Sequence, residues 1–274
     1  MHLSNKVKVV LEGIIILVLF LFIQVLVSFF GGIVSAIVCA VYSNGHFDYM
    51  RLLSVMAPYL LLISEILSII VFGIWYHLLL VKHKSDDTNS GVKNICNFKS
   101  IGFIISATFA AFSIALLISN IVSAVWSSSN ELFNKIMGNA LGDDNFIGYI
   151  SIMLLAPLSE ELSFRGVLLH KSKNVYGMTG CIVLNTILFA VMHLNPLQFL
   201  YVLPVGALLT YIAYKYKTVI ASMIAHIINN TVGVLIPLFL HRNPNNIEAV
   251  ILLIVAAAIA FTLRDKSKDL KSDI

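Results

Sequence analysis

The sequence predicts an all-α protein, a polytopic transmembrane bundle of about eight helices with both termini cytoplasmic. Three observations carry that prediction. Of the 274 residues, 59% are hydrophobic and only 12% are charged, whereas soluble globular chains carry about 25% charged residues. Apolar runs long enough to cross a bilayer recur along the whole length, and mean hydropathy is +0.92. Inside hydrocarbon such runs must be helical, because every backbone polar group has to be bonded within its own segment. The third observation is the placement of cations. With eight spans, all Lys and Arg except Arg51, Lys135 and Arg242 fall on the side of the termini, which marks that side as cytoplasmic.

Taken in order, the first span is predicted over Val9–Val41, with Gly31 and Gly32 free to bend it and Gln24 available for a helix–helix hydrogen bond. Lys6 and Lys8 precede a run too long for a signal peptide, so this helix reads as retained. The second span, Leu52–Val81, holds Glu65 deep within it and closes on the aromatic belt Trp75-Tyr76-His77. Residues 82–100 read as a polar cytoplasmic loop, Ile101–Trp126 as the third span, and 127–145 as a second polar loop ending in Asp143 and Asp144. The fourth span is 146–169 and the fifth runs from Met178 to about His193, where Asn195-Pro196 stops it. The sixth is Leu197–Tyr214, kinkable at Pro204 and Gly206; the seventh is Val219–Leu240, the eighth Ile247–Leu263, and a charged tail covers 264–274. The whole of 1–274 is expected to be one integral-membrane domain of the cell membrane, without an internal repeat. No basic groove interleaved with aromatics suggests a nucleic-acid partner. Cys39, Cys96 and Cys181 are too scattered for a disulfide framework or a cysteine zinc site.

The fourth span carries the chemistry. Each acidic side chain at a helix centre costs roughly 3 kcal/mol on insertion, while the twelve Leu, Ile, Phe and Val of this segment return on the order of 4 to 7 kcal/mol. That barely offsets Glu160 and Glu161, before Arg165 is counted. Helical spacing separates the three: Glu161 and Arg165 lie four apart and pair along one face, whereas Glu160 is rotated by about 100°. One carboxylate is therefore partnered, and its neighbour is free for chemistry.

Two further patterns follow. Phe189 and His193 share a helical face, as do His226 and Asn230. Glu160, His193, His226 and Asn230 together supply a base, two imidazoles and a carboxamide on three spans, enough to polarise a water and to hold a developing oxyanion. Glu160, His193 and His226 would equally serve as donors to a catalytic zinc ion with one position open for water. Asn230 is a poor zinc ligand and a good oxyanion donor.

Glu-Glu-x-x-x-Arg at 160–165, Phe-x-x-x-His at 189–193 and His-x-x-x-Asn at 226–230, in this order, resemble the three motifs of the CAAX-protease and bacteriocin-processing (CPBP, Abi) intramembrane endopeptidases. Pro157 and Phe164-Arg165-Gly166 fit the same pattern. The likeness covers residues 146–240, the expected catalytic core. It implies that Glu160, helped by His193, activates water, that Glu161 and Arg165 are the supporting pair, and that His226 and Asn230 face the scissile carbonyl oxygen. It also implies substrates in or on the membrane: prenylated C-termini, peptide leaders or protein segments. The family is catalogued as metalloproteases, and a metal-free glutamate mechanism is the alternative.

Two other functions compete. A proton-coupled transporter would use Glu65, Glu160 and Glu161 as a relay, and an idle scaffold or immunity protein would keep the fold without cleavage. Depth poses a difficulty: at ~1.5 Å per residue Glu160 and His226 lie about 14 and 11 Å from the cytoplasmic helix ends, but His193 about 22 Å. These depths put the expected chemistry near the cytoplasmic leaflet and require tilt or an early start of the fifth span.

Overall fold

The computed structural model describes residues 4–42, 48–82, 87–142 and 145–264. Among them are ten helices and no strand: α1 (Asn5–Tyr42), α2 (Tyr49–Lys82), α3 (Asp87–Ile95), α4 (Phe98–Val125), α5 (Ser127–Leu141), α6 (residues 146–172), α7 (Met178–Met192), α8 (Pro196–Tyr216), α9 (Val219–Leu240) and α10 (Asn246–Leu263). Six of them, α1, α2, α4, α8, α9 and α10, are long and apolar enough to cross a membrane. The other two predicted spans are the short apolar α7 and the charged α6. The protein is thus an all-α, multi-pass membrane bundle. The tail beyond Arg264, the pair Asp143 and Asp144, and His2, His46 and His83 lie outside the described residues.

Polar side chains set the helix starts. Asn97 Oδ1 accepts from Ser100 N at 2.9 Å, Asn195 Oδ1 from Gln198 N at 3.0 Å, and Thr218 Oγ1 from Ile220 N at 3.3 Å. Asn245 and Glu248 close a reciprocal capping box at the head of α10. Pro196 opens α8, where its missing N–H leaves nothing unsatisfied.

Two stretches expected as loops are helical instead. Within 82–100, α3 packs Gly91 so closely on the α8–α9 turn that a Cβ would stand 2.5 Å from the Lys217 carbonyl oxygen. Its last residue, Ile95, is buried among Phe103, Leu209, Ile212 and Tyr216. Within 127–145, α5 lies over the mouth of the bundle. Its polar composition hid a stripe, Phe133, Met137 and Ala140, with the spacing of one helical face.

Two clusters of buried side chains hold the bundle. One joins α1, α2, α6, α7 and α8 around Phe20, Phe72, Phe164 and Phe189, and the other joins α3, α4, α8, α9 and α10. α8 belongs to both. Many apolar side chains of α1, α2 and α10 face outward, among them Ile15, Phe22, Ile74 and Ile254. That is the surface a lipid solvent requires of a bundle.

Candidate active site

The site is built around a helix with irregular turns. Pro157 has no N–H to offer the preceding turn of α6. Wide, π-helical turns at Ser151–Leu155 and Leu162–Leu168 flank the regular turn Ala156–Glu161. Ala156 N–H reaches back five residues to the Ser151 carbonyl, and Leu169 N–H to the Phe164 carbonyl. Insertions of this kind recur at functional sites. The regular turn between them sends Glu160 and Glu161 to different faces.

Glu161 is fully buried and committed. Its Oε1 accepts from Arg165 Nη1 at 2.9 Å and from His226 Nδ1 at 2.9 Å. An ionised carboxylate only accepts, so the His226 proton sits on Nδ1. The second arm of the Arg165 guanidinium donates to the Gly206 carbonyl at 3.0 Å, and its Cζ lies 4.4 Å from the Phe189 ring centroid. Gly206 permits this approach, because a Cβ there would stand 3.0 Å from Phe189 Cδ1. The pair expected from spacing is therefore present. It is extended by an imidazole of α9 and a carbonyl of α8 that spacing along one helix does not reveal.

Phe189 organises the imidazoles. Its ring meets His193 edge-on at 5.0 Å between centroids and His226 at 5.7 Å. His193 Nδ1 donates to the Phe189 carbonyl at 2.9 Å, which leaves Nε2 as the acceptor nitrogen of the neutral ring. The next residue, Leu194, has φ of 50°, a left-handed conformation that a leucine holds only under constraint. Asn195 supplies it, buried and capping α8, while Leu197 N donates to Ser129 Oγ at 3.0 Å and ties the turn to α5.

Glu160 is the unpartnered acid. Its Oε2 is buried, has no hydrogen-bond partner among the described residues, and lies 3.6 Å from His226 Nε2. That separation is too long for a direct hydrogen bond. Asn230 sits one turn above His226; one of its amide hydrogens goes to the Ile152 carbonyl at 3.1 Å, and the other is free to donate. Beside this layer Glu65 is buried on α2, accepting from Ser159 Oγ of α6 and bonded to Gln24 of α1. The helix–helix bond expected of Gln24 is thus made to a carboxylate.

Glu65, Glu160, Phe189, His193, His226 and Asn230 all line one cavity of about 590 Å³. The depth difficulty disappears because His193, at the end of α7, and Glu160, midway along α6, line the same space. α5, which the sequence left as a loop, contributes Asn130, Phe133, Asn134 and Met137 to its wall. Glu160 and His226 adjoin as two donors for a metal would. Yet no three His, Cys, Asp or Glu side chains among the described residues are grouped so as to hold an ion. The expected set of Glu160, His193 and His226 does not converge as a zinc site needs, and no step below runs through a metal.

No curated protein and no solved structure matches the chain. Residues 141–232, about a third of the length, match the family model described as Rce1-like, type II CAAX prenyl endopeptidase. That stretch contains Glu160, Glu161, Arg165, Phe189, His193, His226 and Asn230, so the likeness covers the residues gathered here.

Proposed function

We propose that this chain is an intramembrane endopeptidase that hydrolyses peptide bonds of membrane-associated substrates with a water activated by Glu160. The observation that carries the reading is the contrast between adjacent carboxylates. Glu161 is held through Oε1 by Arg165 and His226, while Glu160 Oε2 has no hydrogen-bond partner among the described residues and its side chain lines the cavity. The Rce1-like match over 141–232 supports a CAAX-type intramembrane endopeptidase in general.

The chemistry follows from hydrogen-bonding capacity. A water between Glu160 Oε2 and His226 Nε2 gives one hydrogen to each. Glu160 takes a proton as the water oxygen bonds to the scissile carbonyl carbon. The carbonyl oxygen becomes an oxyanion, and the free hydrogen of Asn230 Nδ2 is placed to donate to it. When the C–N bond breaks, the proton held by Glu160 passes to the leaving amine, and the carboxylate is restored. Glu161 and Arg165 fix the His226 tautomer. Phe189 and its carbonyl fix His193, which leaves its Nε2 as an alternative to His226 Nε2 for accepting the second hydrogen of the water.

A relay of Glu65, Glu160 and Glu161 for proton-coupled transport is less well supported. Glu161 is locked in its pair with Arg165 and in its bond to His226, which leaves it poorly suited to pass a proton on. The test is N-terminal proteomics of membranes from cells carrying the wild-type chain or Glu160→Gln. Neo-termini present with the wild type and lost with the variant are expected. Identical sets of termini, with equal protein levels, would overturn the reading.

A further inference from the structure

The cavity lies to one side of the bundle, and every helix agrees on which side. α4, α7 and α9 run away from the terminus face, and α6 and α8 run back toward it. Among the described residues no lining residue of α4 precedes Phe112, none of α7 precedes Phe189, none of α6 follows Glu160, and none of α8 follows Val205. The rim is formed by Asn134 of α5 and by Asn243 and Pro244 of the α9–α10 turn, and both asparagines are exposed. Toward the termini the floor is closed by Arg165 and Phe164 of α6, Leu209 and Ile212 of α8, and Ala221 of α9, all buried. The expectation of chemistry reached from the cytoplasmic leaflet does not suit this shape.

The composition of the passage is as telling as its direction. Six asparagines line it, Asn120, Asn130, Asn134, Asn229, Asn230 and Asn243, together with Gln24 and Gln198. No lysine or arginine is among the lining residues. Arg242, next to the rim, is held by both oxygens of Glu248 at 2.8 and 2.6 Å. Carboxamides both donate and accept, so they match the alternating N–H and C=O of an extended backbone. A free carboxylate would instead find two glutamates, Glu65 and Glu160, at the floor.

We propose that this cavity takes its substrate from the membrane face opposite both termini, through a carboxamide vestibule that fits an extended, uncharged stretch of polypeptide rather than a chain end bearing its carboxylate. On the distribution of Lys and Arg that face is extracytoplasmic. The inference rests on the reading of the cavity as the reaction site and narrows its substrates to internal segments presented from outside.

The test requires no substrate. Asn229→Cys, deep in the vestibule, and Asn134→Cys, at its rim, are expressed separately in cells. They are treated with membrane-impermeant methanethiosulfonates carrying either a trimethylammonium or a sulfonate group, and modification is located by peptide mass spectrometry. The natural Cys96, exposed beside α3 on the terminus side, is the reference. Positions 134 and 229 should react in intact cells and Cys96 only after permeabilisation. After correction for intrinsic reactivity, the cationic reagent should modify position 229 about tenfold faster than the anionic one. Modification of either position only together with Cys96, or no modification of position 134 in intact cells, overturns the proposed entrance. If Asn229→Cys fails to accumulate, Asn134→Cys still decides the side. Equal or faster reaction of the sulfonate at position 229, or at 134 in that case, overturns the exclusion of a terminal carboxylate. Loss of cleavage chemistry would leave this labelling pattern unchanged, so the two readings fail separately.

Discussion

Arg165→Ala is the perturbation with the clearest magnitude. It removes the 2.9 Å bond to Glu161, the 3.0 Å bond to the Gly206 carbonyl and the cation over Phe189. Glu161, fully buried, keeps only His226. Stripping one partner from a buried ion pair costs about 3–5 kcal/mol, because the remaining charge is left uncompensated. In a chain of this size that corresponds to a fall in melting temperature on the order of 10 °C. Replacing both partners by uncharged groups of similar shape is close to neutral. The double variant Glu161→Gln with Arg165→Met should therefore recover most of the loss. The assay is thermal unfolding of detergent-purified protein, followed by the fluorescence of Trp75 and Trp126. A single variant within about 2 °C of wild type, a difference of about 0.5–1 kcal/mol at this size, or a double variant no better than the single, would refute the role of the pair as a buried structural charge couple.

Asn230→Ala should lower kcat by about 10²–10³-fold with little change in KM, the signature of a donor used in the transition state; steady-state kinetics on a cleaved peptide would reveal it. Cleavage should survive 1,10-phenanthroline, with less than stoichiometric zinc by elemental analysis, because Glu160 and His226 find no third donor in the described residues; chelator-sensitive activity restored by zinc would refute this. Gly206→Ala should cost about 1–3 kcal/mol in the same melting assay, since its Cβ would press on Phe189 at 3.0 Å. Gly138→Ala, in α5 with nothing within 4 Å, should instead stabilise by about 0.5–1 kcal/mol.

Much of the bundle was legible in the sequence because hydrocarbon imposes one rule on every span. Length and apolarity located α1, α2, α4, α8, α9 and α10 to within a few residues of their observed ends. The i, i+4 spacing of Glu161 and Arg165 gave the ion pair, because both ends of that interaction lie on one helix. What the sequence hid involved partners on different helices. Nothing local links His226 to Glu161 across 65 positions, or Arg165 to the backbone of Gly206. Nor does Glu65, isolated in an apolar run, indicate that Ser159 and Gln24 meet it. α3 and α5 escaped for another reason. They are too short and too polar to register as spans, and their buried faces consist of a few residues whose role appears only when the larger helices are in place. His193 looked too deep in part because α6 continues to residue 172, past the end at 169 from which the depth of Glu160 was counted.

The cost of the charged span can now be apportioned. Counted as isolated residues, Glu160, Glu161 and Arg165 would each carry an insertion penalty of roughly 3 kcal/mol, and the apolar residues of α6 would not offset their sum. In the folded bundle Glu161 and Arg165 neutralise one another, with His226 and the Gly206 carbonyl filling further valences. Only Glu160 is left to be solvated, and it faces a cavity lined by carboxamides and imidazoles rather than lipid. A helix that needed charge only for packing would have no reason to keep the second glutamate beside the first. Its retention in a polar cavity, with a bare oxygen next to an imidazole whose tautomer is set by the first, is what a water-activating base requires.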